Sequence, residues 1–143
     1  APLTANTIIT CSSCHSNNAG VGAGGTGPKG PHGSTISPLL ERTYITADNT
    51  TESAANYALC YKCHNRTTIL GDTATSFRYH GLHIGLRAPC STCHDPHGVS
   101  TNPRLINFDK AIVTGPGTFT SNGANGGSCN LTCHGKNHNP FTY

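Results

Sequence analysis

Cys90-Ser91-Thr92-Cys93-His94 is a CxxCH motif, in which two residues separate a pair of cysteines and a histidine follows directly. The same pattern occurs at residues 11–15 and 60–64, and residues 129–134 repeat it with one additional residue between the cysteines. The four motifs contain all eight cysteines of the chain: Cys11, Cys14, Cys60, Cys63, Cys90, Cys93, Cys129 and Cys133. A function for these cysteines must therefore explain the histidine after each pair.

The CxxCH spacing is typical of covalent haem attachment. Two thiols add to the two vinyl groups of one haem, and the following histidine reaches the iron from the same side. The extra residue of the fourth motif widens the loop, but its thiols meet the same two vinyl groups. The sequence therefore predicts four covalent haems c. Their proximal iron ligands are His15, His64, His94 and His134.

Paired cysteines also occur in zinc sites, reactive dithiols and disulfides. None of these requires a histidine directly after each pair. Histidine accounts for 9 of the 143 residues, so four such placements by chance have a probability on the order of 0.00001. Haem attachment is therefore the prediction, and zinc sites and disulfides are the alternatives.

Five histidines outside the motifs are candidates for the second axial position of the irons: His32, His80, His83, His97 and His138. The chain has no methionine, which excludes the His/Met coordination that raises the potential of simple cytochromes c. Six-coordinate irons are therefore expected to be bis-histidine. Five candidates for four positions leave one histidine in excess, either to hydrogen-bond a propionate or to be used in another way.

The sequence around these five histidines suits iron ligation. His97 and His32 each lie between a proline and a glycine, which stiffen the backbone and permit close approach. His80 and His83 are three residues apart and would share one face of a helix, from which they can serve two neighbouring haems. His138 lies four residues beyond the fourth motif.

The chain is poor in the side chains that usually build a core. Leu, Ile, Val and Phe account for 24 of 143 residues, about 17%, below the roughly 20% associated with disorder. The formal net charge of +3 is nevertheless small for a disordered chain. We therefore expect the haems to replace the missing core. The expected fold is a single domain over residues 1–143, mostly irregular, with a few short helices and a small β-hairpin, wrapped around a stack of four haems.

Local patterns predict few regular elements. A helix is expected to begin at Asn49, with Glu52 as its capping partner, and to run into the second motif. A β-hairpin is expected from two short runs at 104–108 and 111–114, a turn at 115–117 and a strand at 118–120. Residues 16–35 and 121–128 are expected to be loops.

Charge and hydropathy argue against some partners. Eight haem propionates would change the formal charge of +3 to roughly −5 with ferrous irons, so nothing favours nucleic acid. No apolar run is long enough to span a membrane. The chain begins at Ala1 without a methionine, which we interpret as an exported chain whose signal peptide has been removed.

Five stretches point together to one family: residues 31–34 (PHGS), 58–64 (ALCYKCH), 89–98 (PCSTCHDPHG), 104–109 (RLINFD) and 131–135 (LTCHG). With three CxxCH motifs and a terminal CxxxCH, the chain resembles the extracellular tetrahaem cytochromes that polymerise into nanowire filaments. The resemblance implies a homopolymer with a continuous chain of bis-histidine haems, in which one subunit donates an axial histidine to its neighbour. His32 is our candidate for the donated ligand.

The predicted function is long-range electron transfer in such an extracellular filament, with redox proteins or an extracellular acceptor as partners. A soluble periplasmic tetrahaem shuttle is the alternative. An enzyme such as a multihaem reductase is disfavoured. Catalysis at haem needs an open iron position, and the chain has enough histidines to close all four irons.

Overall fold

The structure is a computed structural model that describes residues 6–72, 77–98 and 101–143. These residues are mostly irregular, with three short α-helices, four single 3₁₀ turns and one three-stranded antiparallel sheet. This confirms the coarse fold class predicted from the sequence.

The helices are α1 (Ala58–Tyr61), α2 (Arg66–Leu70) and α3 (His80–Gly85), and the strands are β1 (Val113–Ser121), β2 (Gly127–Cys133) and β3 (Lys136–Thr142). The 3₁₀ turns lie at Cys11–Ser13, Val21–Ala23, Cys90–Thr92 and Pro103–Leu105. The longest of these helices, α3, has six residues, whereas a membrane crossing requires about 20. None of the helices in the described ranges can therefore cross a membrane.

The prediction that a helix begins at Asn49 is wrong, because the helix is much shorter than expected. Asn49 has a φ of +61°, a left-handed conformation that cannot continue into an α-helix, and α1 begins only at Ala58. The N-cap of α1 is Tyr57, which makes no side-chain cap hydrogen bond, whereas the Ser53 hydroxyl accepts a hydrogen bond of 3.0 Å from the Asn56 N–H just before it. This bond stabilises the turns before α1 rather than a longer helix.

The sheet differs from the expected hairpin. Gly115-Pro116-Gly117, the expected turn, lies inside β1, where the pairing register with β2 shifts. Such a bulge suits an edge strand, because Pro116 has no N–H and both glycines adopt positive φ. The chain instead turns at 122–126 before β2, and β2 pairs in addition with β3. Residues 103–105 form a 3₁₀ turn rather than the start of a strand.

The described residues form two compact units. Unit 1 contains the described residues up to Ile45 together with Ser53–Arg66, and it holds the first two cysteine motifs. Unit 2 contains Thr46–Glu52 and the described residues from Thr67 to Tyr143, and it holds the third and fourth motifs. The single haem-bound domain over residues 1–143 stays a prediction.

Few apolar side chains are buried. Within the described ranges the buried ones are Leu40, Tyr57, Ile84, Ala88, Pro89, Phe108, Val113 and Leu131. A comparable set of large apolar side chains is exposed: Ile8, Ile9, Val21, Leu39, Leu82, Leu86, Leu105 and Phe141. The polypeptide thus leaves apolar surface uncovered, as expected of a chain that packs around another group.

Candidate functional site

The three CxxCH motifs share one backbone turn. In each, the histidine N–H donates to the carbonyl of the first cysteine, at 2.8 Å for His15, 3.0 Å for His64 and 2.9 Å for His94. The N–H of the second cysteine donates to the same carbonyl at 3.2–3.3 Å. Residues three apart in such a turn lie about 5–6 Å from each other on one side of the chain. Each turn therefore presents its two thiols together, as attachment to one haem requires.

Two of the predicted proximal histidines are oriented by the same kind of contact. The Nδ1 of His15 hydrogen-bonds the Pro38 carbonyl at 3.0 Å, and the Nδ1 of His94 hydrogen-bonds the Arg104 carbonyl at 2.9 Å. A carbonyl only accepts, so each Nδ1 carries the proton and each Nε2 keeps its lone pair. This tautomer is the one an iron ligand needs.

Both hydrogen bonds belong to a local arrangement that occurs twice in the chain. In each case a second segment runs antiparallel to the residues around the histidine. His15 pairs with Leu40, 25 residues later, and His94 pairs with Ile106, 12 residues later. In both places, the accepting carbonyl lies two residues before the paired residue, and the residue between them has a positive φ. The matched positions are Pro38 and Arg104, Leu39 and Leu105, Leu40 and Ile106, and Glu41 and Asn107. Sequence reasoning missed this repeat, whose only signal is two adjacent aliphatic residues.

Four histidines of unit 2 lie in two close pairs. The ring centres of His80 and His94 are 6.2 Å apart with an interplanar angle of 36°, and those of His83 and His138 are 6.2 Å apart at 35°. A metal–imidazole bond of about 2.0 Å, with about 1.1 Å from that nitrogen to the ring centre, puts two opposite axial imidazoles about 6.2 Å apart. Both pairs therefore have the spacing of two ligands on one iron.

An ordinary contact between aromatic rings also has centres roughly 4.5–7 Å apart, so the ring nitrogens must distinguish the two interpretations. The Nδ1 of His83 hydrogen-bonds the Tyr79 carbonyl at 2.7 Å, and that of His94 bonds the Arg104 carbonyl. One histidine of each pair therefore has a lone pair on Nε2. The Nδ1 of His138 is buried and has no hydrogen-bond partner in the described part of the chain. The Nε2 lone pairs of His83 and His94 suit axial ligation, and the buried Nδ1 of His138 is costly unless a further group binds it.

Helix α3 positions one member of each pair. His80 and His83 are three residues apart on this short helix, as the prediction of a shared helical face requires. Ile84 of α3 is buried, and the ring of Phe77 contacts both imidazoles, at 5.1 Å from His80 and 5.6 Å from His83. The arrangement fits the prediction that these two histidines serve two neighbouring haems.

The other two candidate distal ligands, His32 and His97, are exposed and lie outside these pairs. His32 lies in a turn between Gly30 and Gly33, which both have positive φ. The backbone N–H of His97 donates to Asp95 at 3.0 Å, and the His97 Nδ1 lies 3.5 Å from the same carboxylate oxygen. The first of these contacts, followed by a hydrogen bond from Asn107, holds the pKa of Asp95 below its usual range.

The fourth motif lacks the helical turn of the other three. Cys129 and Cys133 lie on strand β2, where a separation of four residues puts their Cα atoms about 13 Å apart. His134 follows β2 with a φ of +48°. Its Nε2, the atom expected to bind iron, lies 2.9 Å from both carboxylate oxygens of Asp48. In this arrangement the fourth motif does not fit a haem held as the first three would hold theirs, and His134 does not fit an iron ligand.

The thiols are free of disulfides. Burial raises the pKa of Cys14, Cys129 and Cys133, and it raises that of Cys93 to about 12. The thiolate is the form that attacks disulfides, so these four thiols exchange less readily with disulfides than an ordinary cysteine does. In the described ranges, no group of three or more His, Cys, Asp or Glu side chains is arranged to hold a metal ion.

An ion pair joins the first two motifs within unit 1. The Nζ of Lys62, inside the second motif, lies 2.8 Å from a carboxylate oxygen of Glu41 and 2.8 Å from the carbonyl of Ser13 inside the first. The Glu41 side chain is only 5% exposed, and the Arg42 Nε lies further away from it, at 3.7 Å. Lys62 therefore both neutralises Glu41 and fixes the separation of the two motifs.

Replacing Lys62 by methionine is expected to lower the free energy of unfolding by roughly 3 kcal/mol, because Glu41 would stay buried without its closest cation. This value lies at the low end of the range for broken buried pairs, since Lys62 is 25% exposed. Chemical denaturation of the haem-loaded protein measures the change. The matched control is Lys62→Met combined with Glu41→Leu, which should recover most of the loss. A single variant as stable as the unmodified protein would show that Glu41 does not depend on Lys62.

No protein-family model, curated protein or solved structure matches this chain. The likeness to nanowire cytochromes therefore rests on the residues of the chain alone.

Proposed function

We propose that this chain is a c-type cytochrome that transfers electrons through four covalently attached haems, as a subunit of an extracellular filament. One observation above all supports haem binding. His94, the predicted proximal ligand of a CxxCH turn, lies 6.2 Å between ring centres from His80, a predicted distal ligand. A zinc site or a disulfide would give no reason for that spacing.

Each haem iron, when bound, supplies a one-electron redox centre. The residues of the chain hold and close that centre. The CxxCH turns present paired thiols, the carbonyls of Pro38 and Arg104 orient two imidazoles, and a second histidine closes each iron to outside ligands. An iron closed on both sides carries electrons rather than binding a substrate, so we propose an electron carrier and not an enzyme. Bis-histidine ligation without methionine keeps the potentials low.

Two of the proposed iron sites would share helix α3, which favours electron transfer between them. His80 and His83 are three residues apart on α3, so the two histidine pairs start from neighbouring points on one helix. The thiols of the third and fourth motifs are also close. The pKa of Cys93 is raised first by burial and then by the nearby charges of Cys129 and Cys133.

Assembly into a filament is supported by what the polypeptide leaves exposed. Large apolar side chains such as Ile8 and Leu86 are 83% and 64% exposed, and burial against haems or neighbouring subunits would remove this surface from water. His32 is exposed on its glycine-rich turn, where it can reach an iron of another subunit. The proposed location is outside the cell, with redox proteins or an extracellular acceptor as electron partners.

Replacing His32 by alanine is expected to abolish filaments and to leave one haem of each subunit without its donated ligand. Negative-stain electron microscopy of the haem-loaded protein tests the first effect, and the appearance of one high-spin haem tests the second. Lys29→Ala, an exposed substitution on the same turn-rich segment, is the matched control and should leave filaments intact. If the unmodified protein stays a monodisperse monomer with four low-spin haems, the filament proposal is contradicted and the soluble shuttle is supported.

A further inference from the structure

We propose that Lys62 and Glu41 set the reduction potentials of the haems held by the first two motifs, with Lys62 raising these potentials and Glu41 lowering them. This inference rests on the proposed function and deepens it, because it names residues that tune two of the redox centres. Neither side chain is an iron ligand, so both act through their charge. The inference starts from the ion pair that joins the first two attachment loops within unit 1.

Lys62 carries its charge from one attachment loop to the other. It lies between the two cysteines of the second motif. Its Nζ donates a hydrogen bond of 2.8 Å to the carbonyl of Ser13, which lies between the two cysteines of the first motif. A haem attached at either motif is bonded to the cysteines of that same loop. The ammonium group therefore belongs to the surroundings of both haems.

The Glu41 side chain meets Lys62 at this junction. The backbone N–H of Glu41 donates to the Cys14 carbonyl at 2.8 Å, and one of its carboxylate oxygens lies 2.8 Å from the Lys62 Nζ. The Glu41 side chain is only 5% exposed and that of Lys62 is 25% exposed, so water and salt screen this pair less than they screen charges on the surface. Two charges of opposite sign thus lie beside the first motif.

The backbone contact at Glu41 does not require an acid. The matched position beside the third motif is Asn107, whose N–H donates to the Cys93 carbonyl at 2.9 Å, so a neutral amide fills the same place there. Stability is also a weak reason for a buried ion pair, because well-packed apolar side chains of similar volume often serve as well. The charge of Glu41 therefore has a role of its own, which the backbone contact does not supply.

A nearby charge shifts the potential of a haem because the two oxidation states of its iron differ by one charge. Reduction adds one electron to a ferric iron and lowers its positive charge by one. A cation close by favours the ferrous state and raises the potential, whereas an anion favours the ferric state and lowers it. Groups that do not themselves bind a metal are known to tune its potential. Lys62 and Glu41 should therefore act in opposite directions.

Spectroelectrochemical titration of the haem-loaded protein tests the inference, after the covalent haem content of each variant has been measured. Lys62→Gln should move part of the titration curve to lower potential, and Glu41→Gln should move it to higher potential. The double variant should return close to the unmodified curve. A purely structural role would not give this pattern, because loss of either partner breaks the same contact and would shift the curve in the same direction.

Shifts of the same sign in the two single variants, or no shift in either, would overturn the inference. If Lys62→Gln loses a haem during maturation, the Glu41→Gln variant decides alone, and a potential that falls or stays unchanged in that variant overturns the inference. A purified chain without haem would contradict the proposed function itself. Four bound haems whose potentials ignore both substitutions would overturn this inference only.

Arg42→Gln is the matched control, because it removes the same charge from a neighbouring side chain. The Arg42 Nε lies 3.7 Å from the Glu41 carboxylate, and its guanidinium donates to the Gly22 carbonyl at 2.8 Å rather than to a residue of a motif. Its substitution should lower the potential less than Lys62→Gln does. An equal or larger shift would overturn the claim that the position of Lys62 between the two loops gives it its effect.

Discussion

The chain produced without haem is expected to lose cooperative folding. Ordering the backbone costs about 1–2 kcal/mol per residue, and the described ranges bury only a few apolar side chains to offset this cost. The core cluster of unit 2 illustrates the shortage, since Phe108, Val113 and Leu131 are packed mainly against partly buried groups, among them three cysteines. Haems attached to those cysteines would supply the missing apolar contacts.

Near-ultraviolet circular dichroism and calorimetry measure this effect. Expression without the haem-attachment machinery yields the haem-free chain, because thioether-bound haem cannot be extracted intact. The loaded protein should show a sharp thermal transition and the haem-free chain a weak or absent one. The haem-free sample must be kept reduced, so that disulfides among the eight cysteines do not replace the haems as cross-links. A haem-free chain that unfolds in one cooperative transition would contradict the proposed role of haem in the core.

His80→Ala is expected to convert one of the four haems from low-spin to high-spin and to let it bind added cyanide or carbon monoxide. The reason is the 6.2 Å separation of the His80 and His94 rings, which leaves the iron of the third motif with one axial ligand once His80 is removed. About a quarter of the haem signal should change. Optical spectra and electron paramagnetic resonance measure that fraction.

The matched control for this variant is Leu82→Ala on the same helix. Leu82 is 51% exposed, so its truncation should leave all four haems low-spin. If His80→Ala also kept four low-spin haems, His94 would not share an iron with His80, and the spacing of the two rings would be an ordinary aromatic contact.

The sequence predicted the parts of the site that depend on local spacing. Each CxxCH turn involves only five consecutive residues, so its geometry can be predicted from the motif alone. The shared helical face of His80 and His83 follows from their spacing of three residues in the sequence. The shortage of large aliphatic side chains likewise predicted that little regular structure and a small polypeptide core would form.

The parts that depend on distant contacts escaped prediction. His15 is oriented by a carbonyl 23 residues away, and the equivalent partner of His94 is only 10 residues away, so no fixed spacing reveals the repeat. The fourth motif reads as a longer CxxCH, yet strand pairing with β1 and β3 extends it and brings His138 opposite the cysteines. The capping pattern at Asn49 failed because that residue adopts a positive φ.

The intact mass of the purified, denatured chain tests the central claim most directly, because thioether bonds keep haem attached after unfolding. We predict the mass of the 14.9 kDa polypeptide plus four haems, with no thiol left to alkylate. A chain at the mass of the polypeptide alone, with free thiols or disulfides, would contradict the assignment of all four motifs. A mass that corresponds to three haems, with the two cysteines on β2 alkylated, would contradict haem attachment at the fourth motif.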